Sequence, residues 1–137
     1  MWWIYALLSA FFAGLTAVLA KAGIKGVDTD LATAVRTSVI LVITWGIAYF
    51  RNGTAGFSNL TKTNLTFLIL SGIATGLSWV FYFKALQLGK VSQVAPVDKL
   101  SVALAIILSV TFLGESLTWK DAMGALLIIA GTVILIL

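Results

Sequence analysis

The sequence predicts an all-α, polytopic membrane protein with five transmembrane helices. Of the 137 residues, 61% are hydrophobic and only 10% are charged, compared with about 45–50% apolar and about 25% charged residues in a soluble domain. The mean hydropathy is +1.09, and the apolar residues form five long runs. A chain of this size cannot bury so many apolar side chains, because small proteins keep much of their surface exposed. The exposed surface is therefore expected to face lipid.

The first three runs are close to the length of about 20 residues that a helix needs to cross a bilayer core. Residues 2–20 and 65–83 contain no charge, and residues 31–50 contain only Arg36. Each is predicted to form one transmembrane helix.

The last two runs complete one five-helix domain, residues 1–137. Residues 94–113 carry Asp98 and Lys99 near the start, whereas residues 122–137 are free of charge and are expected to become helical near Trp119.

Helix ends are marked by residues that satisfy free backbone groups. Thr118 and Asp121 have the spacing of a capping box before the fifth helix. Gly89 and Gly114 are expected to end the third and fourth helices in left-handed conformations. Pro96 is expected in the first turn of the fourth helix, where a proline marks the entry into the membrane without breaking the helix.

The absence of two residue types excludes several kinds of chemistry. There is no cysteine and no histidine, so thiolate or imidazole metal sites and Ser-His or Cys-His catalysis are excluded. The net charge is +4, but the basic residues are scattered between apolar runs, which does not favour nucleic acid as a partner. We expect no enzyme, no cofactor and no metal site.

The distribution of basic residues gives only a weak orientation. Five spans place the two ends of the domain on opposite faces, with three basic residues on one face and five or six on the other. This bias is small for the positive-inside rule, so insertion in one orientation and in both remain open. An odd-span unit is the kind that transporters pair with an inverted copy. We therefore expect a homodimer, either parallel or antiparallel.

Polar side chains recur at helical spacing within three spans, and two interpretations are open. Such faces can line a hydrated cavity, or their hydroxyls can bond to carbonyls of their own helix. Arg36 lies beside the face of the second helix. The faces consist of Thr33, Thr37 and Thr44 on the second helix, Ser71, Thr75, Ser78 and Tyr82 on the third, and Asp98, Ser101, Ala105 and Ser109 on the fourth.

Asp98 and Lys99 are predicted to form the substrate-binding or coupling centre. Charges within a span are costly and usually pair or line water. Adjacent helical positions point about 100° apart, so the two side chains are expected to address different partners. Arg36 or Lys84 is a possible partner for Asp98, and a structural salt bridge with a snorkelling lysine is the alternative.

Small residues are further candidates for helix packing or a dimer contact, and aromatic residues are further candidates for the substrate site. Gly72 and Gly76 form a GxxxG pattern, and Gly124 with Gly131 forms a second small-residue pattern, so each pair is expected in helix packing or a dimer contact. Trp79, Tyr82 and Phe83 lie beside the hydroxyl face of the third helix. These rings are expected to give apolar or cation–π contacts to an organic solute, or to serve ordinary packing.

The chain resembles an EamA-type domain of the drug/metabolite transporter superfamily. The resemblance covers nearly the whole chain and is carried by the aromatic-Lys-Ala-Leu run at Tyr82 to Leu86, by Ala95-Pro96, by Leu-Gly-Glu at Leu113 to Glu115 and by the pattern from Gly124 to Gly131. Gly124 and Gly131 also resemble the dimerisation helix of small multidrug transporters. Asp98-Lys99 departs from the apolar residues usual in the EamA family.

The resemblance implies a plasma-membrane carrier, in a bacterial or archaeal inner membrane. Together with the polar faces, it predicts a secondary transporter that exports small organic metabolites such as amino acids by alternating access in a homodimer. Two alternatives remain, a cationic drug/proton antiporter of the small multidrug type and a non-transporting membrane scaffold.

Overall fold

The computed structural model describes residues 1–137 and contains only helices, which include 85% of the residues. The six α-helices are α1 (Trp2–Gly23), α2 (Thr29–Phe50), α3 (Lys62–Leu88), α4 (Val91–Asp98), α5 (Leu100–Phe112) and α6 (Trp119–Ile136), and a 3-10 helix, Gly53–Asn59, follows α2. Since α4 and α5 together form one span of 22 residues, five segments are long and apolar enough to cross a membrane. The predicted fold class and the five spans are confirmed.

The surfaces of the spans are almost entirely exposed. At most about one residue in each span is buried in the apolar stretch that defines it. The few buried apolar residues are Ala17, Ile24, Phe83, Leu86 and Ala103. The large apolar side chains therefore form an outer surface suited to lipid and not a central core.

The chain divides into two compact units. One consists of Met1–Leu19 and Leu88–Leu137 and contains most of α1 with α4, α5 and α6, and we call it the split unit. The other, Ala20–Gln87, contains the end of α1, α2, the 3-10 helix and α3, and we call it the continuous unit. In the split unit α6 packs against both α4 and α5, and in the continuous unit the 3-10 helix packs on α2.

The helix ends follow local capping chemistry. The predicted capping box is confirmed, since the Thr118 hydroxyl accepts from the Asp121 amide while the Asp121 carboxylate accepts from the Thr118 amide. Gly114 is left-handed, with φ 69°, as predicted. The short link from α3 to α4 becomes extended at Lys90, with ψ 146°.

The prediction that Pro96 lies in a first turn is also wrong. α4 begins at Val91, three residues before the predicted start, which places Pro96 inside the helix. A proline there contributes no N–H, and its ring crowds the carbonyl four residues earlier. The helix is interrupted shortly afterwards at Lys99, where α4 gives way to α5. The fourth span is therefore irregular for one residue at Lys99, whose backbone stays right-handed, with φ −71° and ψ −9°.

Candidate functional site

The predicted polar site residues are divided between the two units. Those of the continuous unit are Arg36, Ser78, Trp79 and Tyr82, and those of the split unit are Asp98, Lys99 and Ser101. Within the units, the structure brings Arg36 to Trp79 and joins Asp98 to Lys99.

The Arg36 cluster consists of Arg36, Trp79 and Phe83. The guanidinium carbon of Arg36 lies 4.5 Å from the centre of the Trp79 ring and 5.2 Å from that of the Phe83 ring. Trp79 and Phe83 are four residues apart on α3 and therefore share a face. Phe83 is only 2% exposed, so its position is fixed by packing. The two aromatic faces stabilise the arginine charge by cation–π interaction.

Side-chain hydrogen bonds hold the end of α3 beside this cluster. The Lys21 ammonium donates to the carbonyl of Leu86, whose side chain is fully buried. The Gln87 amide donates to the Val27 carbonyl over 3.1 Å. Tyr82 interacts electrostatically with Arg36. These two hydrogen bonds anchor the last residues of α3 to the end of α1 and to the turn that follows it.

Five hydroxyls of the polar faces bond to carbonyls of their own helices. The hydroxyls of Thr33, Thr37 and Thr75 each donate over 2.8 Å to the carbonyl four residues earlier, and Thr44 bonds in the same way. Ser109 donates to the carbonyl of Ile106. These bonds satisfy the hydroxyl hydrogens without any cavity, although the oxygen lone pairs remain free to accept from water or a solute.

Asp98 and Lys99 form an ion pair at the α4–α5 junction. Lys99 Nζ lies 3.3 Å from Asp98 Oδ2, with the two side chains 56% and 35% exposed. The expectation that adjacent residues would address different partners is wrong. Asp98 is the last residue of α4, and the flexible lysine lies between the two helices, from where its ammonium reaches back to the carboxylate. The pair neutralises itself and stays accessible.

Thr132 donates a hydrogen bond to the Pro96 carbonyl at this junction. This threonine was not predicted from the sequence. The carbonyl of Pro96 accepts from the Lys99 amide over 3.0 Å and from the Thr132 hydroxyl over 3.2 Å. Thr132 is only 3% exposed and also contacts the Ile128 carbonyl at 2.8 Å. Two features of the sequence could have indicated this role. Thr132 carries the only hydroxyl of α6, and Pro96 disturbs the backbone hydrogen bonds of α4.

Each unit contains an open cavity, and neither includes a predicted site residue. A groove of about 370 Å³ between α5 and α6 is lined almost wholly by aliphatic side chains, among them Ala103, Ile107 and Leu126. A second cavity of about 270 Å³ lies where the 3-10 helix meets α2, beside the stacked rings of Trp45 and Phe57. The charged candidate residues therefore lie outside both cavities, while Thr44 of the α2 polar face and Thr54 line the second.

The glycines predicted for close packing face open space. An ideal Cβ added at Gly72, Gly76, Gly124 or Gly131 would meet no atom within 4 Å. No neighbouring backbone of the chain therefore requires glycine at these positions.

The family model of the EamA-like transporter family matches residues 1–137 of this chain. The chain belongs to the EamA-like transporter family. The EamA-like chain is also 45% identical, over 134 residues, to a Sinorhizobium protein named "Uncharacterized transporter in cobO 3'region", and the match covers 98% of this chain and 95% of that protein. An uncharacterized protein of Methanocaldococcus jannaschii is 35% identical over 71 residues, or 52% of each chain.

No solved structure matches the EamA-like chain. Its family and its five apolar spans identify it as an integral, multi-pass membrane transporter.

Proposed function

We propose that this EamA-like transporter is a secondary carrier that exports small organic metabolites such as amino acids. The observation that carries the proposal is the accessible Asp98–Lys99 ion pair at the irregularity of the fourth span. Interrupted helices form the substrate sites of many secondary transporters, because their ends offer polar groups within the membrane. An ion pair inside a span also lowers insertion efficiency, so a use that compensates for this cost is expected.

A zwitterionic solute matches the charges of this junction. The Asp98 carboxylate can hold an ammonium group, and the Lys99 ammonium can hold a carboxylate. A bound amino acid would replace each partner of the ion pair with an equivalent charge, so the net charge of the junction would not change. Ser101 lies one turn of helix beyond Asp98 and adds a hydroxyl for orientation. A purely cationic drug would leave the Lys99 ammonium without its carboxylate, and the pairing therefore favours a zwitterion.

The proposed carrier works by alternating access as a homodimer, in a bacterial or archaeal plasma membrane. Five spans form a single odd-span unit, and a second copy would supply the other wall of a central pathway. The open space beside Gly124 and Gly131 supports a subunit contact through α6, since small residues allow two helix backbones to approach closely. Both a parallel and an antiparallel arrangement satisfy this contact.

Counterflow in proteoliposomes tests the proposed substrate class. The purified chain is reconstituted with each of a panel of amino acids, and exchange of the labelled solute is compared with that of cationic dyes. Asp98→Asn keeps the side-chain size and removes the charge, so we expect amino acid exchange to fall by at least about tenfold, the effect of losing one charge-assisted hydrogen bond.

Lys99→Met is expected to reduce exchange similarly, while Lys25→Met, in the exposed turn after α1, serves as the matched control. Normal exchange by both Asp98→Asn and Lys99→Met would reduce the ion pair to a structural salt bridge. Exchange of dyes without amino acids would replace the proposal with a cationic drug antiporter.

A further inference from the structure

Arg36 is a charge within a membrane span that has no carboxylate partner. It is the only charged residue between Leu31 and Phe50, and its side chain is half-buried. Ionised groups inside a span usually pair with an opposite charge. The ion pair described above joins Lys99 to Asp98 and does not include Arg36. The guanidinium therefore has aromatic neighbours but no counterion.

The five acidic residues of the chain all have other positions or partners. Asp28 and Asp121 cap the amino-terminal ends of α2 and α6. Asp98 is paired with Lys99, Asp30 lies in the first turn of α2, and Glu115 follows α5. A counterion for Arg36 would consequently have to come from outside the chain.

The contacts that Arg36 makes leave its hydrogen-bonding groups available. A cation–π contact uses the positive charge of the guanidinium and the faces of Trp79 and Phe83, at 4.5 and 5.2 Å. It does not use the five N–H donors, which are arranged as a fork that matches the oxygens of a carboxylate or phosphate. The rings thus restrict the side chain while its fork remains free. Such preorganisation lowers the entropy lost on binding.

We propose that the Arg36 cluster is an oxyanion-binding site. The ligand group is a carboxylate of a small solute or the phosphate of a lipid headgroup, held by the guanidinium fork. A solute carboxylate as the ligand rests on the proposed function, in which the transported metabolite has a carboxylate.

The fluorescence of Trp79 reports directly on this site. In the full chain, Trp2, Trp3, Trp45 and Trp119 are replaced by phenylalanine, which leaves Trp79 as the only tryptophan. This protein is placed in nanodiscs of the uncharged, phosphate-free lipid digalactosyldiacylglycerol and titrated with acetate, L-leucine and L-glutamate. Acetamide and L-leucinamide serve as matched ligands without the carboxylate. We expect a saturable change with carboxylates that is at least about tenfold weaker with the amides.

Substitutions at Arg36 then distinguish the contribution of its positive charge to binding from the contribution of its paired N–H donors. Arg36→Gln is expected to weaken carboxylate binding by at least about tenfold, and Arg36→Lys by a smaller factor because lysine keeps the charge without the bidentate fork. Arg51→Gln, at the other end of α2, is the matched control and should leave binding unchanged within about twofold. The comparison of carboxylates with amides needs no substitution at Arg36 and remains decisive if Arg36→Gln fails to fold.

A second set of nanodiscs identifies the source of the anion. If phosphatidylglycerol alone alters Trp79 emission, and Arg36→Gln abolishes that effect, the oxyanion is a lipid phosphate. If neither soluble carboxylates nor phosphatidylglycerol changes Trp79 emission in a way that Arg36→Gln abolishes, the inference is overturned.

Counterflow of the same proteins separates this inference from the proposed function. Binding that depends on Arg36 without any solute exchange would refute the carrier and keep the site. Amino acid exchange that persists unchanged in Arg36→Gln, without a Trp79 response, would refute the site and keep the carrier.

Discussion

Arg36 and Lys99 are cations within spans, and the chain stabilises them by different means. Arg36 lies over the rings of Trp79 and Phe83, whereas Lys99 contacts a carboxylate. The sequence showed that each charge needed a partner, since both interrupt apolar runs. It could not identify the partners, because these depend on how helices pack and on which rotamer a flexible side chain adopts. The neutral Asp98–Lys99 pair and the unpaired guanidinium thus became distinguishable only in the structure.

The Thr132 hydroxyl is predicted to stabilise the α4–α5 junction. Thr132→Val keeps the shape of the side chain and removes the donor to the Pro96 carbonyl. We expect the free energy of unfolding to fall by about 0.5–1.5 kcal/mol, the net value of a side-chain hydrogen bond. Reversible unfolding in mixed detergent micelles measures the change.

Thr111→Val is the matched control for this substitution. Its hydroxyl bonds only to carbonyls of its own helix, those of Ile107 and Leu108. Its loss should cost less than the loss of the Thr132 bond. Equal stability of Thr132→Val and the native chain would show that the Pro96 carbonyl needs no side-chain donor.

At the scale of elements, all five spans were predictable and the irregularity in the fourth was not. Long apolar runs define spans because lipid requires them, whatever the neighbouring helices do. The position of Pro96 within its helix depends on where that helix begins, and α4 begins at Val91, three residues before the apolar run that predicted it. Thr118 and Asp121 were predictable because a capping box is a local interaction within four residues.

The capping box is predicted to hold the first turn of α6. Thr118→Ala removes the side-chain acceptor for the Asp121 amide. The free energy of opening this turn should fall by about 1 kcal/mol, which corresponds to roughly fivefold faster amide exchange. Hydrogen exchange followed at Asp121 measures it, and Ser116→Ala in the same loop is the control. Unchanged exchange at Asp121 in Thr118→Ala would contradict this role of the cap.

At the scale of the whole molecule, the glycines of α6 are predicted to mark a subunit contact. Gly131→Leu fits within a single chain, because a Cβ there meets no atom within 4 Å. In the proposed homodimer the same side chain would separate two closely approaching helices. We expect the dissociation constant of the dimer to rise at least about tenfold, equivalent to about 1.4 kcal/mol, as measured by energy transfer between labelled subunits in bilayers.

Gly46→Leu on α2, where a Cβ also meets no atom within 4 Å, is the control for the bulk of the new side chain. Unchanged association of Gly131→Leu would exclude α6 as the contact. A native chain that is monomeric in bilayers would refute the dimer itself.

The span from Val91 to Phe112 does not have uniform stiffness. A helix resists bending through its ladder of backbone hydrogen bonds, and Pro96 removes the donor that the Ser92 carbonyl would otherwise receive. A rod that is weakened at one point bends there when force is applied at either end. In mechanical terms the fourth span is a two-part lever, and its fulcrum lies beside the only hydroxyl of α6.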